Sequence, residues 1–151
     1  MKFNLKVILL GGLAFYATQW IVSMASGPVV HTHILSDLYR ATAAFWRPEL
    51  NQDPPDMTAL LPLWITTGLI TTFIITAIFD NIRSALDGSG LVKGAKFGFI
   101  AFLFSACLSA GWSGVFNLPY EIWVWWNIEA LVMYLVGGAV LGFVTEKLSP
   151  A

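Results

Sequence analysis

Four long stretches of this sequence carry almost no charge, and their lengths set its architecture. No Asp, Glu, Lys or Arg occurs in residues 7–36, 57–79 or 97–120, and residues 122–145 hold a single charged side chain, Glu129. A helix crossing a hydrocarbon core of about 30 Å needs roughly 20 mostly apolar residues, and each stretch reaches that length. Backbone N–H and C=O groups find no water in lipid, so an open chain must satisfy them inside helices. Barrel strands are excluded by pattern, because they alternate polar and apolar side chains over about ten positions. The pattern therefore predicts an all-α polytopic membrane protein. Its four transmembrane helices lie near residues 7–29, 59–79, 97–113 and 122–143, in an up-down-up-down bundle that forms one domain over residues 1–151.

Between the first two spans lies the one sizeable connector, residues 30–56. Its apolar positions Leu35, Leu38, Tyr39 and Trp46, set among Asp37, Arg40 and Arg47, predict a short amphipathic helix lying on the outer membrane surface. Ser36 or Asp37 is placed to cap that helix, and Pro48 to end it. The following Asn51-Gln52-Asp53-Pro54-Pro55-Asp56 reads as a rigid polar turn, and Asp87-Gly88-Ser89-Gly90 as a tight turn joining an antiparallel helix pair.

Charge adds orientation. Lys2, Lys6, Arg83, Lys93, Lys96 and Lys147 fall on one side of the predicted spans, against Arg40 and Arg47 on the other. Short loops rich in Lys and Arg face the cytoplasm, so both termini are expected there; in a bacterium the membrane would be the plasma (inner) membrane. Lys2 and Lys6 before an apolar run, with Ser23-Met24-Ala25 behind it, resemble a secretory signal. Signal cores run about 7–15 residues, shorter than this stretch, so the first helix is expected to be retained. Composition agrees with the spans: 57% of residues are hydrophobic and 11% charged, against about 25% charged in soluble domains. A net charge of −1 argues against nucleic acid as a partner, since a basic footprint is absent. The lone Cys107 supplies neither a disulfide nor a thiolate metal site and reads as a small membrane-buried hydrophobe.

Glu129 is the first candidate for chemistry, because carboxylates inside a membrane are costly, face the bundle interior and mark proton or ion paths. Asn127, two residues away, points to a different helix face and is expected to bridge to another helix. Thr67 and Thr71, one turn apart in the Thr-rich second span, could wall a polar track opposite Glu129; membrane threonines also bond carbonyls one turn back or glue helices together. His31 and His33 sit at the outer end of the first helix, poorly placed for a cofactor held inside a bundle, and read as interfacial polar residues. No cofactor or metal is implied. Small residues at Gly94, Gly98, Ala101, Ser105 and Ser109 form a stripe, and Gly138 and Gly142 belong to a second glycine-rich helix. Such stripes let helix backbones approach closely.

No enzyme constellation emerges. The leading expectation is a non-catalytic accessory or structural subunit packing into a larger membrane complex, with the lipid bilayer and other subunits, or copies of itself, as partners. The alternative is a small proton- or ion-coupled transporter or channel using Glu129, as an oligomer, since a bundle this small must associate to enclose a path.

Overall fold

The computed structural model describes residues 4–149. Its long helices are α1 (Leu5–Gly27), α3 (Leu61–Ile82), α4 (Gly90–Ser113) and α5 (Tyr120–Leu148), with a one-and-a-half-turn helix α2 (Ser36–Ala41) in the first connector. α1 does not stop at Gly27 but continues as a π-helical segment, Pro28–Ile34. Counting such extensions, four helices are long and apolar enough to cross a membrane, the architecture of a multi-pass helical protein. Their ends overrun the spans read from charge. α5 has 29 residues, about 43 Å at 1.5 Å per residue, and so exceeds a hydrocarbon core. α4 starts at Gly90 rather than at residue 97, because Glu146 Oε1, in the last turn of α5, accepts the Gly90 N–H at 2.9 Å and caps its N-terminus.

Local chemistry starts the other helices. The Asn4 side chain accepts the Val7 N–H at 3.3 Å at the head of α1. Before α3, the Asp56 carboxylate accepts from Thr58 Oγ1 (2.6 Å), Thr58 N (3.1 Å) and Ala59 N (3.2 Å). The Thr58 hydroxyl foremost, with these backbone donors, holds the Asp56 carboxyl below its ordinary range. Pro62 stands in the first turn of α3, where its missing N–H leaves nothing unbonded. Gly88, at φ +110°, takes the left-handed conformation needed by the turn into α4.

Glycines set the packing. A Cβ added to Gly94 would lie 2.0 Å from Gly138 O, one on Gly98 2.0 Å from Tyr134 O, and one on Gly142 2.0 Å from Gly90 O. The α4 and α5 backbones therefore touch along this seam, and the pairs run in opposite order, so the helices are antiparallel. α1 packs between α3 and α5 by rings against glycines: Phe73 covers Gly12, Tyr16 covers Gly68 and Phe15 covers Gly137. The spatial order is thus α3–α1–α5–α4, with α1 antiparallel to both of its neighbours. At the end holding the described termini, Phe79 of α3 meets Phe97 of α4 at 5.2 Å between ring centroids. There Arg83 pairs with Asp80 (3.0 Å) and donates to Ser149 O (2.6 Å). A core of Phe15, Phe79, Phe97 and Leu141 fills this half. Outward, the helices present large apolar side chains such as Ile21, Ile70, Ile74 and Phe104, the surface that a lipid solvent requires. Cys107 belongs to that exposed surface rather than to the interior.

The connector folds back onto the bundle. Leu35, Leu38, Tyr39 and Trp46 pack with Val30 against Ile122, Trp125 and Trp126 at the start of α5. Its apolar face thus covers the end of α5. No side-chain hydrogen bond caps α2, and Asp37 instead pairs in solvent with Arg40 at 3.4 Å.

Candidate functional site

The single carboxylate of the fourth span lies where α1 crosses α5. Glu129 Oε1 accepts the Ser26 hydroxyl, and Oε2 lies 3.0 Å from His31 Nε2. The other imidazole nitrogen, Nδ1, is 2.8 Å from the Tyr39 hydroxyl, which also receives the Trp126 indole N–H at 2.8 Å. The Tyr39 ring stacks on His31 (5.9 Å between centroids, 21° between planes) and meets Trp46 edge-on at 5.4 Å. Trp46 in turn donates to Tyr39 O and Thr42 Oγ1, both at 3.0 Å, and so fixes the short connector helix over the site.

Matching donors to acceptors assigns the protons. Trp126 N–H can only donate, so it occupies an acceptor position on Tyr39 Oη. The phenol then donates to His31 Nδ1 and Nε2–H donates to Glu129 Oε2, while the one Ser26 proton has both Glu129 Oε1 and Val22 O within reach. A neutral imidazole satisfies both of its nitrogens in this arrangement; an imidazolium would leave the Tyr39 proton without an acceptor here. Burial pushes the Tyr39 phenol above its ordinary pKa; the Trp126 hydrogen bond opposes this shift, and the Glu129 charge adds to it. Tyr39 therefore remains a donor throughout the neutral range.

The arrangement spans a gradient of exposure. The His31 side chain is 36% exposed and that of Glu129 9%, so an imidazole open to the surface of the bundle contacts a carboxylate that is largely covered. Local structure makes this contact. Pro28 lacks an N–H to bond back along α1, and beyond it the helix widens to the i to i+5 pattern, with Leu35 N bonded to Val30 O at 2.9 Å. In an α-helix, positions 26 and 31 would point roughly 140° apart; across the wider segment both meet the same carboxylate. π-helical turns are rare and concentrate at functional sites.

Of the residues singled out from sequence, Glu129 joins this group together with His31, which the sequence offered only as an interfacial polar residue. Asn127 faces α4, where its Nδ2 donates to Ser109 Oγ (3.0 Å) and back to Trp123 O (2.7 Å). Thr67 and Thr71 are exposed on α3, and Thr67 bonds Leu63 O at 2.7 Å. α1 stands between α3 and α5, so these hydroxyls do not face Glu129. Gly94, Gly98, Gly138 and Gly142 lie in the α4–α5 contact, with Ala101 and Ser105 half-buried beyond them. His33 is exposed and outside the network. Among the described residues, no three His, Cys, Asp or Glu side chains gather as a metal site. Ser26, His31, Tyr39 and Trp126 were invisible as partners in the sequence, because α-helical spacing separates Ser26 from His31, and Trp126 and Glu129 lie 87 and 98 residues from the Tyr39 and His31 they meet. The chain matches no protein-family model, no curated protein and no solved structure.

Proposed function

We propose that this chain is a small proton-coupled membrane carrier, active as an oligomer, in which His31 and Glu129 take up and release the coupling proton. The observation that carries this reading is the hydrogen bond from a part-exposed imidazole to a shielded carboxylate within a span. Imidazole accepts a proton on one nitrogen and gives one up from the other. A proton arriving at His31 can thus leave from Nε2 to Glu129, neutralising the carboxylate, while the Tyr39 hydroxyl reorients at Nδ1. Loss of that charge removes the main reason for Glu129 to hold Ser26 and His31, which is how proton uptake would loosen the α1–α5 contact.

In this reading the four helices form one transmembrane domain and both termini are cytoplasmic. Lys6, Arg83, Lys93, Lys96 and Lys147 lie at the inner end, while α2 and the remaining connector rest at the outer surface over the site. A cysteine introduced at Ser89 is then shielded from an impermeant reagent applied to intact cells; labelling there would reverse the orientation. The functional test is Glu129→Gln in reconstituted vesicles. Proton-coupled flux should be abolished while helicity is kept. Undiminished flux sinks the carrier role and leaves the accessory-subunit reading, under which the variant assembles normally with its complex.

A further inference from the structure

The α4–α5 seam changes along its length. From Gly90 to Gly98 the backbones touch, and farther along Asn127 reaches Ser109 through its side chain. Beside that bond the two helices border an open groove of about 450 Å³. Phe102, Ala106, Ile128 and Leu131 make it apolar, and Trp123 flanks its outer mouth. Among the described residues, two polar side chains that line it have an unpartnered atom, Trp123 at its indole N–H and Asn127 at its amide oxygen. Both amide hydrogens of Asn127 are committed, to Ser109 Oγ and Trp123 O, while among the described residues its Oδ1 accepts none. An amide oxygen at membrane depth without a donor is costly. Asn127 lies seven residues into α5, about 10 Å below the helix start at 1.5 Å per residue, within reach of the polar part of an amphiphile inserted from the outer leaflet.

We propose that this groove binds a membrane amphiphile whose head carries a hydroxyl, donated to Asn127 Oδ1, with its hydrocarbon body along Ala106 and Leu131. An ordinary acyl chain solvating the groove offers no donor, so the hydroxyl distinguishes a bound ligand from bulk lipid. The site lies on the α4 side of α5, opposite the face that carries Glu129, and touches the proton site only where Trp123 packs edge-on against Trp126, 5.6 Å between centroids.

The test uses the full chain in detergent with two probes sharing one hydrocarbon chain: monoolein, which has free hydroxyls, and methyl oleate, which has none. Monoolein should raise the thermal midpoint saturably, with an apparent affinity about fivefold to tenfold tighter than methyl oleate, the worth of one hydrogen bond. Ala106→Phe, which fills the groove without touching the Asn127 bonds, should abolish the difference. Dibrominated monoolein should quench tryptophan fluorescence more in the wild type than in Trp123→Phe, a readout that does not depend on Ala106→Phe folding. Equal affinities for the two probes, or quenching unchanged by Trp123→Phe, would overturn the proposal. So would a dimer that Ala106→Phe splits without any probe preference, which would assign the groove to a second copy of the chain.

Discussion

Replacing Gly94 by alanine puts a methyl group 2.0 Å from Gly138 O, a carbonyl of the α5 backbone that cannot rotate away. Carbon and oxygen need at least 3.0 Å, so α4 and α5 must part by about 1 Å at this point. Overpacking of this kind costs about 1–3 kcal/mol. Separation also weakens the close backbone contacts at Gly98 and Gly142, of the kind worth about 0.5–1 kcal/mol each. Alanine regains roughly 0.8–1 kcal/mol of helix propensity, leaving a net loss of about 1–4 kcal/mol. Gly111→Ala is the matched control. It makes the same chemical change in the same helix, with nothing within 4 Å of the new carbon, so only the propensity gain of up to about 1 kcal/mol applies. Unfolding in mixed micelles of rising dodecyl sulfate fraction, followed by circular dichroism, should therefore move the two midpoints in opposite directions. Equal destabilisation by both variants, or no effect of Gly94→Ala, would refute the backbone contact as the basis of this seam.

Other consequences follow from the site and the caps. His31→Ala strands Glu129 Oε2 and the Tyr39 hydroxyl, and loss of the hydrogen bond to the carboxylate should lower stability by about 1.5–3 kcal/mol, measured by the same titration; an unchanged midpoint would show the pair to be unimportant to the fold. Because the folded-state pKa of Tyr39 is raised, its stabilisation is complete below the unfolded value of about 10 and is lost as pH rises through the folded value. Tyr39→Phe should accordingly flatten the alkaline fall in unfolding midpoint, although it also lowers the midpoint at neutral pH; an alkaline slope equal to that of the wild type would contradict this. The lowered carboxyl of Asp56 works in the opposite sense, stabilising above its unfolded pKa and fading as pH falls through the folded one. Asp56→Ala should speed amide exchange at Thr58 and Ala59 while leaving the rest of α3 protected, and uniform exchange across α3 in both proteins would count against the cap.

The helices were legible because a charge in lipid is expensive, so the gaps between charges outline the spans. Their ends were not, because backbone hydrogen bonding does not stop at the hydrocarbon boundary. The turns around Lys93 and Lys96 remain helical under the Glu146 cap, whose carboxylate comes from a helix more than 50 residues away. In the connector, the spacing of Leu35, Leu38, Tyr39 and Trp46 marked an apolar face but not what it covers, since a membrane surface and the aromatic end of α5 offer the same chemistry. Glu129 stood out as the lone charge of its span. Its partners did not, since finding them requires a π-helical segment that α-helical periodicity does not anticipate, and a fold-back of the connector.

The spatial order α3–α1–α5–α4 also has a meaning for biosynthesis. Insertion in chain order would deliver two hairpins, α1 with α3 and then α4 with α5, each able to form its own contacts. Ser26, His31 and Tyr39 belong to the first hairpin or its connector and Glu129 to the second, so the network cannot exist until the last helix docks against the first. Until then the carboxylate faces lipid alone. The Ser26–Glu129–His31 junction thus ties the first half of the chain to the second. A cell's quality control could read an undocked protein by that one exposed acid.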